Sequence, residues 1–137
     1  MGIYTNISKN SKRLFFAWYL LIMMTSSVPY LPTPKIQAFD SSIRLDYLIH
    51  FLQFFILAIF FMQWRINVNS NIKIKMLFIY GIGGMAAAFL SEMYQKLIPG
   101  RTFNPVDGLS NFAGIVMGIF CVYLINVMNK QNLDFTK

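Results

Sequence analysis

Four runs of apolar residues, joined by short linkers, limit the folds open to this chain more than any other feature. They cover residues 14–31, 45–64, 76–98 and 106–128. A helix crosses the apolar part of a bilayer with roughly 20 residues, and each run is about that long. The linkers, 32–44, 65–75 and 99–105, carry the Pro, Gly, Asn and charged residues of turns. The expected fold is therefore all-α: a single integral membrane domain over residues 1–137, built as a bundle of four transmembrane helices. A polar lead (2–13) and a short tail (129–137) are expected to fray. Lys9, Lys12 and Arg13 ahead of the first run also give it the outline of a signal peptide, but Thr25-Ser26-Ser27 offers no A-x-A cleavage pattern. We read it as a retained helix.

Composition agrees with this class. The chain is 56% hydrophobic and 12% charged, whereas a soluble domain is about a quarter charged. Its net charge of +7 forms no basic patch interleaved with aromatics, so nucleic acid is not an expected partner. The basic residues sit at the ends of the runs, where they set orientation. Lys9, Lys12, Arg13, Arg65, Lys73, Lys75, Lys130 and Lys137 fall on one side, and Lys35, Arg44, Lys96 and Arg101 on the other. The richer side belongs in the cytoplasm. Both termini are then cytoplasmic, and the first and third linkers face outward. Tyr30, Tyr47 and Tyr94 would mark the outer interface, and Trp18 and Trp64 the inner one. Cys121, the one cysteine, lies inside an apolar run and has no partner for a disulfide within the chain.

Against this apolar background six polar residues stand out: Asp46 and His50, Glu92 and Gln95, Asp107 and Asn111. Ionisable groups are expensive inside a membrane and mark functional sites by default. With the topology above, His50 lies one turn, about 6 Å, below Asp46, and Glu92 lies about 9 Å below the end of its run. Asn111 is one turn below Asp107, so all six reach one depth near the outer face. Gln53 continues the Asp46–His50 face. Gly84, Ala88, Ser91 and Gln95 form a small-residue stripe on the third run. Asp107, Asn111, Gly114 and Gly118 form another on the fourth. Such stripes let helices approach closely in lipid, so the third and fourth helices are expected to pack along them, with Phe54, Phe55, Phe60 and Phe61 turned to lipid. Arg101, in the linker joining the two helices that carry Glu92 and Asp107, is the expected partner of those acids.

The order Asp46-x-x-x-His50-Phe51, Glu92-x-x-Gln95, Pro99-Gly100-Arg101 and Asp107-x-x-x-Asn111-x-x-Gly114-x-x-x-Gly118 resembles the VanZ-like family, as does Ser26-Ser27-Val28-Pro29. The resemblance runs from the first helix to Gly118. It departs at Tyr47, where the family often has Lys, and at Phe54, where it often has Tyr. It implies a small protein of the bacterial cytoplasmic membrane, linked to tolerance of teicoplanin, a lipidated glycopeptide. It implies a fold and a site rather than a reaction.

Each residue also has a plainer reading. Asp46 and Asp107 suit helix N-termini, where the dipole favours an anion. His50 could be a neutral residue bonded to a backbone group or to Asp46, and Glu92 could form a purely structural ion pair with Arg101 or His50. Gly114 and Gly118 are packing positions. Three functions compete. In the first, Asp46, His50, Glu92, Gln95, Arg101, Asp107 and Asn111 bind a membrane lipid headgroup or lipid-linked amphiphile in an outward polar pocket, with Arg101 suited to phosphate or carboxylate. In the second, a membrane enzyme uses His50, Glu92 or Asp107 as acid and base. In the third, a small proton-coupled transporter would need to form a homo-oligomer. The residues favour binding over catalysis. No metal motif has the required tight spacing, and there is no phosphate loop, nucleophile motif or cofactor fingerprint, so no metal or cofactor is expected.

The topology is checked with reporter fusions. Fusions after Asn69 and after Lys137 should report as cytoplasmic, and one after Gln37 as external. An external signal at Lys137 would remove the shared depth of the polar residues.

Overall fold

The structure, a computed structural model, describes residues 2–29, 35–38, 41–65, 72–101 and 104–134. Four helices form its body: α1 (Gly2–Ser26), α2 (Leu45–Arg65), α3 (Ile74–Gln95) and α4 (Pro105–Asp134). Between α1 and α2 lies a two-stranded antiparallel hairpin, β1 (Lys35–Ala38) and β2 (Ser41–Arg44), in which Ile36 pairs with Ile43. The first linker is thus more than a turn.

Three helices are long and apolar enough to cross a membrane: α2, α3, and α4 over Pro105–Met128. α1 differs from expectation at both ends. The polar lead is helical rather than frayed, because an already nucleated helix extends one hydrogen bond per residue and Ser11 is fully buried. The helix then stops at Ser26 instead of running to 31. Pro29 disfavours helical geometry at Val28, and Thr25 and Ser27 hydroxyls donate back to the Leu21 and Met23 carbonyls at 3.0 and 2.7 Å. Tyr30 and Leu31 lie outside the described residues. α4 in turn runs on to Asp134 through part of the expected tail.

The helices alternate in direction. α1 packs antiparallel to α2, and α3 antiparallel to α4, while α2 and α4 lie parallel in the closest contact of the bundle. This differs from the expected α3–α4 seam. A Cβ at Gly114 would stand 2.3 Å from the Phe51 carbonyl oxygen, and one at Gly118 would stand 2.6 Å from that of Phe55. Both glycines therefore bring α4 onto the backbone of α2. They do so because α2 offers a ridge of backbone between Phe51 and Ala58, whereas α3 meets α4 through side chains: a Cβ at Gly84 would meet Ile115 at 2.9 Å. Ala88 packs with Ile22, Phe54, Leu57 and Ile115 in the core. Phe54 is wholly buried, not lipid-facing. It points between α1 and α4 on the same face as His50. Phe55, Phe60 and Phe61 are half-buried.

At the far end of the bundle Trp64 packs at tilted or edge-on angles against Phe15, Phe16 and Phe61, with Lys12 and Arg65 over its ring at 5.6 and 5.8 Å. Trp18 is not at that end. Its indole N–H donates to the Gln53 carbonyl at 2.8 Å, within the α1–α2 contact.

Replacing Gly114 by Ala should lower stability by about 1–3 kcal/mol, the usual effect of overpacking a tight contact. Gly81→Ala is the control, since a Cβ there meets nothing within 4 Å. Thermal unfolding in detergent should show a lowered midpoint for Gly114→Ala alone. An unchanged Gly114→Ala midpoint would mean that α2 and α4 are farther apart than described.

Candidate functional site

The alternating directions bring the C-terminal ends of α1 and α3 and the N-terminal ends of α2 and α4 to one end of the bundle. There His50, Glu92, Asp107 and Asn111, from three helices, are buried against one another, none more than 7% exposed. Asn111 is their centre. Its amide nitrogen donates to Glu92 Oε1 at 2.8 Å, and its Oδ1 lies 3.1 Å from His50 Nδ1. The amide nitrogen is committed to the carboxylate, so the amide oxygen must accept from the imidazole. His50 therefore carries a proton on Nδ1 and leaves Nε2 to act at the other side of the ring.

That other side faces Asp107. His50 Nε2 and Asp107 Oδ2 are 4.0 Å apart, beyond hydrogen-bond range. The Glu92 carboxylate is 3.8 Å from Nδ1. The imidazole thus stands between two acids of different helices, held to one through Asn111 and separated from the other by a gap. A group placed at this separation can hydrogen-bond to the imidazole, to the carboxylate or to both.

Asp107 is positioned by a helix cap. Asn104 Oδ1 accepts from the Val106 N–H at 3.1 Å, and Pro105 follows at the first helical position, as is common at helix starts. The Asn104 amide nitrogen donates to Asp107 Oδ1 at 3.0 Å and to the Tyr47 hydroxyl at 3.4 Å. Asn104 was not singled out in the sequence reading, although Asn-Pro ahead of an apolar run is a start signal. Tyr47, noted there as an interface marker and a departure from the family, is its second contact.

The remaining expected site residues lie around this centre. Asp46 is paired with Arg44 at 2.5 Å and accepts from the Tyr47 N–H at 3.1 Å, so it holds the start of α2. The hydrogen bond to Asp46 pushes the Arg44 guanidinium further above its ordinary value. Gln95 reaches across to Ser26 at 3.5 Å, and Tyr94 bonds Ser27 at 2.9 Å. Gln53 turns to α1 rather than to the cluster, donating to Thr25 Oγ1 at 3.1 Å. Ser91 is buried, and its hydroxyl has no hydrogen-bond partner among the described residues.

Arg101 makes no direct ion pair with the acids among the described residues, although its charge acts on both through space. Its guanidinium donates to the Val28 and Thr25 carbonyls at 3.3 and 3.4 Å, capping the end of α1. The turn before it explains this. Pro99 and Gly100 occupy its centre, Gly100 has φ 78°, and the Arg101 N–H returns to the Ile98 carbonyl at 3.1 Å. A glycine at positive φ in the third position directs the chain this way. Nearer compensation comes from Asn111 and His50, and for Asp107, in the first turn of α4, from the positive end of that helix. Among the described residues no group of three His, Cys, Asp or Glu side chains is arranged to hold a metal ion.

Compared with known protein families, curated proteins and solved structures, the chain shows no match.

Two double-mutant cycles separate the partners of Glu92. Asn111→Ala should lower stability by about 1–3 kcal/mol for each buried group it leaves unpaired. Its effect should be strongly non-additive with Glu92→Gln. Arg101→Ala should couple to Glu92→Gln more weakly than Asn111→Ala does, because it acts only through space. Chemical unfolding in detergent provides the readout. Strong coupling of Arg101 to Glu92 would restore the ion pair read from the sequence.

Proposed function

We propose that the chain is a VanZ-like protein of the bacterial cytoplasmic membrane. In this reading α1 completes a set of four spans and both termini are cytoplasmic. The end holding His50, Asp107, Asn111 and Glu92 faces outward, where it recognises the headgroup of a membrane lipid or lipid-linked envelope molecule. The consequence for the cell is altered tolerance of teicoplanin-type glycopeptides. The eight-to-four division of basic residues supports the orientation, and the order of polar motifs supports the family.

One observation carries the binding reading. His50 Nε2 and Asp107 Oδ2 face each other at 4.0 Å, so an imidazole and a carboxylate offer hydrogen bonds to one ligand group. A headgroup hydroxyl or amine suits that pair. The ligand chemistry is thereby narrower than an anion site built on Arg101, whose guanidinium is occupied at α1. The same pair supports the second reading, a membrane enzyme. An imidazole with Nδ1–H fixed by an amide, and Nε2 directed at a neighbouring carboxylate, has the arrangement of a general base.

Expression in a susceptible Gram-positive host should raise teicoplanin tolerance more than vancomycin tolerance, because only teicoplanin carries an acyl anchor. At equal protein levels, His50→Ala, Asp107→Asn and Asn111→Ala should each remove the difference. Equal tolerance with and without the protein would sink the drug link. Turnover of a lipid-linked substrate by purified protein, lost in His50→Ala, would replace binding by catalysis.

A further inference from the structure

Below the polar cluster the bundle contains a cavity of about 230 Å³. All four helices contribute to its walls, including Phe15, Leu57, Gly83, Gly84, Ala87 and Ile115. The walls are almost wholly apolar. The space exists because α3 withholds side chains there: Gly81 to Ala88 holds only two residues larger than alanine, Ile82 and Met85. α2 contributes full-sized Leu57 and Phe61 to the opposite wall.

The cavity is not sealed. Gly83 lines it and is also exposed on the outside of α3, and a Cβ at Gly83 would meet nothing within 4 Å. α1 packs chiefly on α2, and α3 on α4, with little direct contact between α1 and α3. The mouth at Gly83 therefore opens beside α3, near the middle of a helix long and apolar enough to cross a membrane. What lies outside such a mouth in a bilayer is hydrocarbon. Apolar cavities exclude water and take apolar ligands; one of about 150 Å³ suffices for benzene.

We propose that this cavity takes one acyl chain of a bilayer phospholipid, entering sideways past Gly83. The inference rests on the membrane-spanning reading of α3 but not on the headgroup, drug or enzyme readings of the polar cluster. The chain lies between Phe15 and the glycine face of α3, with Leu57 and Ile115 at its back. Leu57 is two turns below His50 and Ile115 one turn below Asn111, so the occupied cavity would also support the floor of the cluster.

The test uses the full chain in nanodiscs of phosphatidylglycerol, with a fraction of the lipid carrying a diazirine near the end of one acyl chain. After irradiation, labelled positions are mapped by mass spectrometry. Labelling should be concentrated on Phe15, Leu57 and Ala87 beyond its level on the outward residues Phe89 and Leu90. It should be lost from the cavity residues in Gly83→Leu, whose side chain fills the mouth, and unchanged in Gly81→Leu, which is equally unhindered but lies outside the cavity. Unfolding midpoints of both variants serve as the folding control. Labelling of Phe89 and Leu90 without the cavity residues would overturn the acyl-chain site while leaving α3 in the bilayer. Cavity labelling that survives in well-folded Gly83→Leu would overturn the entry route and the site with it. Absence of label at Phe89 and Leu90 as well would overturn the spanning reading itself.

Discussion

The parallel contact between α2 and α4 is the constraint on which the rest of this structure depends. Gly114 and Gly118 remove the side chains that would hold the two helices apart, and the Phe51 and Phe55 carbonyls come within touching distance of where those side chains would be. Two helices that close and parallel have their N-terminal ends level. His50 of α2 then falls opposite Asp107 and Asn111 of α4 with no further adjustment. Wider spacing would separate the imidazole from the amide that fixes its proton. A small-residue pair read only as packing therefore also determines the protonated nitrogen of His50.

The same contact explains how two buried acids persist at one end of a bundle. Glu92 stands near the C-terminal end of α3, where the helix dipole opposes it. Its compensation is an amide hydrogen bond from Asn111, a neighbouring imidazole and the through-space charge of Arg101. The arginines at this end make their hydrogen bonds elsewhere: Arg44 pairs with Asp46 at the start of α2, and Arg101 caps the end of α1.

Much of this was legible in the sequence. The three long helices begin and end within a few residues of the apolar runs, because composition and turn residues both change there. The meeting of His50, Glu92, Asp107 and Asn111 was also legible, since helical spacing and alternating direction suffice to level them. The errors concern lateral neighbours. Periodicity says which residues share a face, but not which helix that face meets. The Gly114 and Gly118 stripe could have faced α3 or α2. Arg101 could have turned toward Glu92 or toward α1, and only the turn at Gly100 decides. Phe54 shows the limit most clearly. It is aromatic in a lipid-length run, yet it shares a face with His50 and so belongs to the core. Asn104 is different: the Asn-Pro signal was present and local, and its link to Asp107 follows from cap geometry.

The placement of the small residues on α3 joins the two halves of the molecule. Gly84 and Ala88 bring α3 near α4 and the core, while Gly83 and Ala87, on the adjoining face, bring it near nothing. A helix under selection for packing alone would fill that second face with Leu or Ile, as α2 does opposite. Filling it would bury more apolar surface, but it would also stiffen the helix that carries Glu92. With the face left empty, one wall of the bundle can be completed by something that exchanges with the bilayer. Glu92 lies five residues beyond Ala87, a little over one turn, so matter entering at Gly83 bears on the helix that aims Glu92 at Asn111. From α3, Glu92 is tied to the centre of the cluster by its hydrogen bond from Asn111 and by its approach to His50 at 3.8 Å. Any shift of α3 is therefore felt at Asn111 and at the imidazole that faces Asp107.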